Sequence, residues 1–282
     1  MLHFSGIEGE FFVEFEFKEH YDVNDLTEIV KKLRAPDGCP WDKVQTHETI
    51  RKDFIEEVYE AVEAIDEKDT DHLREELGDV LLQVVFHTVL ETEQNNFTLN
   101  DVADDVCKKM ILRHPHVFGN TTADTPEEVL KNWDQIKMQS KSQSAASEAM
   151  ESVSKTLPSL MRSQKLWKKA ERGGYALDDA EAVIELTEQR LEALKKSVRF
   201  GAAEDIHKKT GELLMAVTGL SRFTDTDCEK SLYDACDSFI GQFKKLEELA
   251  AEKGVDIQKS SPEEVRNLWD EISKKINGGK EK

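Results

Sequence analysis

Proline and glycine are scarce in this chain of 282 residues, which contains 6 prolines and 14 glycines. Both residues interrupt helices, so long stretches of Glu, Lys, Leu and Ala are free to remain helical. Apolar residues recur at spacings of three and four almost throughout, as on one face of a helix. The sequence therefore predicts an all-α fold. The exception is 10–17, EFFVEFEF, whose alternation predicts a short strand or an appended tail.

Basic charge is also in short supply, because 38 Lys and Arg stand against 58 Asp and Glu, a net charge of −20. This balance excludes a general nucleic-acid binder that neutralises phosphates. The longest apolar stretch, 80–86, is interrupted by Gln83, which excludes a membrane span, and 1–12 does not resemble a signal peptide. The four cysteines form no CxxC pair. We therefore expect a cytoplasmic protein with reduced thiols and no membrane or nucleic-acid partner.

Several common enzyme motifs are missing. The sequence contains no GxxxxGK[ST], GxGxxG, HExxH or GxSxG. These absences leave P-loop, dinucleotide-binding, zinc-protease and serine-hydrolase interpretations without support. The remaining enzyme interpretation rests on carboxylates.

The chain has the organisation of a tandem duplication. TPEEVLKNWDQIK, from Thr125, matches SPEEVRNLWDEISK, from Ser261, at an offset of 136 residues. A serine-rich stretch lies between the two halves and has the composition of a linker. We therefore predict two helical-bundle repeats, with an extension at 1–25, a first domain at 26–140, a linker at 141–157 and a second domain at 158–282.

The first group of acids lies in a predicted helix over 53–66. Its apolar residues Phe54, Val58, Ala61 and Ile65 share one face and predict a core stripe. Acids at three positions in this helix differ in direction: Glu57 and Glu60 lie beside the buried face, whereas Glu56 points towards water.

The second group lies in a predicted helix over 75–90 that is apolar around most of its circumference. One narrow polar stripe, Glu76, Asp79, Gln83 and His87, runs along it. Buried carboxylates require a compensating cation. Two helices that each present acids at i and i+3 can enclose Mg²⁺, which prefers oxygen ligands. Single acid pairs of this spacing usually form a solvated surface, but two such pairs beside apolar helices favour a metal site.

These motifs resemble a known family. Glu57-x-x-Glu60 followed by Glu76-x-x-Asp79 is similar to the EExxE…ExxD signature of all-α nucleoside triphosphate pyrophosphohydrolases. LRAPDGCPWDKVQTHETIR (33–51), EELGDVLLQVVFH (75–87) and KMILRHPHVFG (109–119) resemble successive blocks of MazG proteins. The resemblance runs from about residue 26 to about residue 276. It implies hydrolysis of a nucleoside triphosphate to the monophosphate and pyrophosphate, with Mg²⁺, or alternatively Mn²⁺, on the four acids.

The resemblance also implies substrate-binding residues. Lys109 and Arg113, one helical turn apart, match a basic pair that holds phosphates in the family. Trp133 matches a tryptophan that stacks on the base. Trp41 is a second aromatic candidate, for which a packing role is the favoured alternative. Further candidates are Arg51, with its neighbours Lys52 and His47, for steering phosphates, and Glu56 for accepting a proton from water, although its outward direction argues against that role.

The second half departs from the signature. Glu57, Glu60, Glu76 and Asp79 correspond to Gln189, Glu192, Lys209 and Glu212, respectively. A lysine in this set places a positive charge where the metal ion would bind. Lys109 and Arg113 correspond to Ser238 and Gln242. We therefore expect a degenerate second copy, with the active site in the first half.

Two alternatives to this function remain open at the level of sequence. One is a helical interaction or regulatory protein with an idle site, and the other is a hydrolase of alarmone-type nucleotides. The apolar circumference of 80–90 further predicts that one half cannot bury its apolar surface alone, and therefore a homodimer.

Overall fold

The computed structural model describes residues 17–140 and 145–278. Within these ranges every regular element is a helix, which confirms the all-α prediction. The predicted strand at 10–17 falls outside the described residues except for Phe17, which is not in a strand. The chain divides into two compact units, Met1–Lys137 and Met138–Lys282.

The described part of the first unit contains six α-helices. Their bounds are α1 Val23–Arg34, α2 Arg51–Glu67, α3 Thr70–Glu93, α4 Leu99–Arg113, α5 Pro115–Phe118 and α6 Pro126–Ser140, the last of which continues across the boundary between the units. Side chains cap several of them. The Asp22 carboxylate accepts hydrogen bonds from the backbone N–H groups of Asn24 and Asp25 at the start of α1.

The helices α2 and α3 form an antiparallel hairpin with the most extensive packing in this unit. Two residues connect them. Lys68 ends α2 in the left-handed region, with φ of 59°, and the Asp69 carboxylate then caps α3. This tight connection places the middle of α2, which carries Glu57 and Glu60, beside the N-terminal half of α3, which carries Glu76 and Asp79.

The core of the first unit lies where α1 packs against α3. It contains Val30, Ile50, Val85, Phe86, Val89 and Leu90. Arg34 fixes the loop between α1 and α2, because its guanidinium donates to Glu93 at 2.7 and 2.8 Å and to the carbonyl oxygens of Asp42 and Gln45. The loop therefore follows a defined path towards the start of α2.

The second unit repeats several of these features. Its helices are α7 Ala146–Glu151, α8 Ser159–Arg172, α9 Ala180–Phe200, α10 Ala203–Thr218, α11 Cys228–Glu252 and α12 Pro262–Gly278. A two-residue connection, Gly201 and Ala202, joins α9 to α10, and this hairpin again has the most extensive packing in its unit. Like α1 on α3, α8 packs on α10. The helix α7 lies within the stretch for which the composition predicted a linker.

The described helices include none long and apolar enough to cross a membrane. The four cysteines, Cys39, Cys107, Cys228 and Cys236, are free thiols.

Candidate functional site

Four carboxylates meet on the hairpin of α2 and α3. Glu57 on α2 and Glu76 and Asp79 on α3 each offer an oxygen atom, and these atoms all lie within 4.8 Å of one another. Glu60, one turn after Glu57, hydrogen-bonds with it. The structure thus brings Glu57, Glu76 and Asp79 within reach of one metal ion, with Glu60 beside Glu57. We call these four acids the carboxylate cluster.

The carboxylate cluster carries more negative charge than its surroundings neutralise. Partial burial raises the pKa of the Glu57 carboxyl, and the neighbouring charges of Asp79, Glu60 and Glu76 raise that pKa further, together with the hydrogen bond that the protonated Glu57 carboxyl donates to Glu60. A carboxyl that holds its proton for these reasons is one that a cation would stabilise in its ionised form. The cluster is therefore electrostatically suited to a positive ligand.

Glu76 supplies the most direct structural sign of a missing partner. Its side chain is buried, with a relative exposure of 7% for the residue. Oε1 lies 3.1 Å from His72 Nε2, whereas the buried Oε2 has no hydrogen-bond partner among the described residues. An unpartnered buried carboxylate oxygen is costly. A set of carboxylate oxygens at this spacing fits a hard divalent ion such as Mg²⁺ or Mn²⁺.

The polar stripe of α3 continues beyond the cluster to Gln83 and His87. Gln83 is buried and its Oε1 also lacks a partner among the described residues. His87 meets His47, which precedes α2, and His47 in turn contacts Glu91. The sequence predicts the place of His87 on the stripe but not its pairing with His47 and Glu91, because the path of the loop that carries His47 leaves no periodic signal.

Of the predicted phosphate-binding and base-stacking residues, Arg113 and Trp133 contact each other rather than the cluster. The guanidinium carbon of Arg113 lies 5.2 Å from the ring centroid of Trp133, and the His114 ring meets Trp133 edge-on at 4.9 Å. Lys109 is exposed on α4. No hydrogen bond or ion pair recorded in the described part of the chain joins Lys109 or Arg113 to the cluster. α4 touches α3 only lightly.

The remaining candidates lie on the surface. Arg51 is exposed as the first residue of α2, and Glu56 is exposed on the outward side of that helix, as its position predicted. Trp41 is 58% exposed at the start of the short 3₁₀ helix Asp42–Val44. The packing role expected for Trp41 is therefore wrong.

The core stripe predicted for α2 is only partly buried. Ala61 is buried, but Val58 and Ile65 are exposed. The reason is that α2 packs on α3 through small residues, Ala61 and Ala64, so its larger apolar side chains extend past the contact. This corrects the prediction that Val58 and Ile65 lie in the core.

The corresponding positions of the second unit have a different charge arrangement. Lys209 Nζ lies 3.0 Å from Glu212 Oε2, and Arg190 lies 3.4 Å from the same oxygen. The hydrogen bond from Lys209 holds the pKa of the Glu212 carboxyl below its usual range. Glu192 pairs with Lys195 at 2.6 Å. Glu192 and Glu212 are thus neutralised by the chain's own cations.

The fold and the carboxylate cluster together define a class of protein: an all-α protein with acids from two antiparallel helices gathered at one place. Residues 45–118 match the MazG nucleotide pyrophosphohydrolase domain family. The chain is 39% identical over 257 residues to the nucleoside triphosphate pyrophosphohydrolase/pyrophosphatase MazG of Thermotoga maritima, covering 91% of this chain and 96% of that protein.

Two further relatives have similar identity. The nucleoside triphosphate pyrophosphohydrolase of Escherichia coli K12 is 33% identical over 255 residues, with 89% of this chain and 97% of that protein covered. The uncharacterized protein YabN of Bacillus subtilis is 38% identical over 253 residues, and the chain spans 52% of its length. From the identity and coverage of these relatives, the chain belongs to the MazG family.

Proposed function

We propose that this protein hydrolyses nucleoside triphosphates to nucleoside monophosphates and pyrophosphate with the help of Mg²⁺, for which Mn²⁺ is an alternative. The observation that carries the proposal is the carboxylate cluster, with its raised Glu57 pKa and the unpartnered buried Oε2 of Glu76. The names of the Thermotoga maritima and Escherichia coli relatives support the same reaction.

Each group of residues has a part in this proposal. Glu57, Glu60, Glu76 and Asp79 would hold the metal ion. The bound ion would supply charge neutralisation on the triphosphate and lower the pKa of a water that attacks the α-phosphorus. The bond between the α-phosphorus and its bridging oxygen breaks, and pyrophosphate leaves. Glu56 is exposed on the outward side of α2 and is the weakest candidate for accepting the proton of the water.

Lys109, Arg113 and Trp133 form the second part of the proposed site. The cationic side chain of Arg113 over the Trp133 ring makes one surface that offers both a positive charge and an aromatic face. Such a surface suits a nucleotide, because phosphate oxygens need cations and a base needs a stacking partner. Arg51 and Trp41 are exposed and are proposed as outer contacts of the substrate.

We place the activity in the first unit. Lys209 and Arg190 both form ion pairs with the Glu212 carboxylate. The second unit therefore has no equivalent excess of negative charge at this place. The matching two-residue connections of the hairpins, and the packing of α1 on α3 and of α8 on α10, support a tandem duplication whose second copy has degenerated.

We further propose a homodimer. On α2, the side chains of Ile55, Val58, Tyr59 and Val62 recur at helical spacing and are all exposed, and Leu77 and Leu81 on α3 are exposed as well. Exposed apolar surface of this extent marks an interface. A second copy of the chain, meeting the same surface about a two-fold axis, would cover it. We expect this dimer to work in the cytoplasm.

The test incubates the purified full-length chain with each nucleoside triphosphate and Mg²⁺ and separates pyrophosphate from orthophosphate. We expect pyrophosphate and the monophosphate in equal amounts, and no turnover after chelation of the metal. Release of orthophosphate, or turnover that persists without a divalent ion, would contradict the proposal. Cleavage of guanosine tetraphosphate in preference to triphosphates would favour the alarmone alternative, and complete inactivity would favour the idle-site alternative.

A further inference from the structure

Three side chains form a hydrogen-bonded series at the far end of the polar stripe of α3. His47 Nδ1 lies 2.7 Å from His87 Nδ1, and His47 Nε2 lies 2.7 Å from Glu91 Oε1. The other oxygen of Glu91 accepts a hydrogen bond from Asn96 Nδ2 at 2.6 Å. The two imidazole rings are nearly parallel, with an interplanar angle of 4°. We call His87, His47 and Glu91 the histidine relay.

The hydrogen bonds of the histidine relay fix the orientation of the His87 ring. Both ring nitrogens of His47 have partners, so His47 orients its neighbour. His87 has one nitrogen in the relay, and its ring is held on another side by the Phe54 ring at 5.4 Å. The Nε2 atom of His87 carries no hydrogen bond to another described residue, and the side chain is only half-buried. Such an atom, oriented by a second hydrogen bond to the same ring, is suited to binding a ligand.

The charge state of the His87 imidazole indicates which chemical groups of a ligand it can bind. Burial lowers the pKa of its imidazole, and the neighbouring His47 lowers it further. The ring is therefore neutral near pH 7, with one nitrogen as donor and the other as acceptor. A neutral imidazole is a weak partner for phosphate but a good one for a sugar hydroxyl or for the polar edge of a base.

The position of His87 relative to the carboxylate cluster matches the length of a nucleotide. His87 follows Asp79 by eight residues on the same face of α3, which corresponds to about 12 Å along a helix. Between them lies Gln83, whose buried Oε1 has no partner among the residues described. A ligand with its phosphates at Asp79 therefore brings its uncharged part to His87.

We propose that His87, held in place by His47 and Glu91, binds the nucleoside part of the substrate, which lies along α3 with its triphosphate at the carboxylate cluster. This rests on the proposed function, since it concerns the same site. His87 is a substrate-binding residue in this arrangement. His47 and Glu91 are positioning residues, because they act through His87.

The test uses the full-length chain and measures the contributions of the nucleoside and of the phosphates to binding separately. We expect His87→Ala to raise KM for nucleoside triphosphates by about tenfold and to change kcat by less than about threefold. The competitive inhibition constant of inorganic tripolyphosphate, which has no nucleoside, should stay within about twofold of its original value. Inhibition by nucleoside monophosphate, compared with its 2′-deoxy form, shows whether the contact is to the sugar hydroxyl or to the base.

The positioning role of His47 is tested by non-additivity. His47→Ala should raise KM in the same direction as His87→Ala, and the double variant should bind nucleotide no more weakly than His87→Ala alone. His207→Ala, at an exposed histidine of the second unit, is the matched control and should leave KM and kcat unchanged.

Two results would overturn the inference. One is an unchanged KM in His87→Ala. The other is an equal weakening of tripolyphosphate and nucleotide binding, which would indicate a general structural defect. These outcomes differ from failure of the proposed function, which would appear as absence of pyrophosphate release by the unaltered protein. In that event, calorimetric binding of nucleoside monophosphate to the unaltered protein and to His87→Ala still decides whether His87 contacts a nucleoside.

Discussion

Lys209 Nζ lies 3.0 Å from Glu212 Oε2, one turn apart on α10. The proposed duplication matches these residues to Glu76 and Asp79 on α3 of the first unit, where two acids stand in place of a lysine and an acid. This difference, together with Gln189 in place of Glu57 and with Arg190 beside Glu212, inverts the electrostatics of the hairpin. The pKa of Glu212 is lowered by its cation, whereas the pKa of Glu57 is raised by burial and by its acidic neighbours.

A lysine placed in the carboxylate cluster of the first unit should neutralise the acids. The cluster should then no longer bind a metal ion. We expect Glu76→Lys to lose at least about a hundredfold in turnover, or about 2.7 kcal/mol of transition-state stabilisation. Its Tm without metal should stay equal or rise, because the lysine neutralises the cluster, and Mg²⁺ should no longer raise Tm. Glu75→Lys, at an exposed neighbour, is the control. Retention of the Mg²⁺-dependent rise in Glu76→Lys would contradict this prediction.

Stabilisation by Mg²⁺ should depend on pH in a direction set by Glu57. The pKa of the Glu57 carboxyl is raised above its ordinary value of 4.5. Protonation of Glu57 therefore stabilises the folded state at a pH below 4.5, and this stabilisation is lost as the pH rises through the raised pKa. Metal binding replaces the proton. The increase in Tm on adding Mg²⁺ should therefore grow as the pH rises from 4.5 through the raised pKa of Glu57. Scanning calorimetry with and without Mg²⁺ measures it, and an increase that shrinks over this range would contradict the account.

The exposed apolar residues of α2 lead to a prediction about assembly. Val62→Lys should convert the dimer to a monomer of about half the mass, because a charged side chain would be buried at the proposed interface. Val44→Lys, which alters an exposed valine outside α2, should leave the mass unchanged. Light scattering at micromolar concentration gives the mass. An unaltered protein that scatters as a monomer of 32.2 kDa would show that no dimer forms.

The helical fold was accessible from sequence because its signals are local. The spacing of apolar residues predicts α2 and α3, and Asp69 is a recognisable cap for the second of them. The acids of the cluster could be predicted to meet because a short connection folds two i, i+3 pairs onto each other. The sequence likewise predicts a cation near Glu212, because Lys209 lies one helical turn before it.

Other features depend on tertiary structure and left no local signal. Periodicity identifies the apolar face of α2 but not what covers it, so Val58 and Ile65 were assigned to the core although they are exposed. The contact of His47 with His87 depends on the path of the loop after α1, which Arg34 fixes through long-range hydrogen bonds. Helical spacing placed Lys109 and Arg113 on one face, yet it could not predict that Arg113 lies over Trp133.

The central claim is that the first unit holds the working site and the second does not, and matched substitutions in the full-length chain test it most directly. Turnover of nucleoside triphosphate to pyrophosphate is measured for Asp79→Ala and for Glu212→Ala, with Glu57→Ala and Glu192→Ala as a second pair. Circular dichroism and light scattering confirm that fold and assembly are retained. We predict losses of at least about a hundredfold, or about 2.7 kcal/mol, for the first-unit variants and of less than about threefold for the second-unit variants. If Glu212→Ala were as damaging as Asp79→Ala in a folded protein of unchanged mass, the second unit would contribute to catalysis and the account would be contradicted.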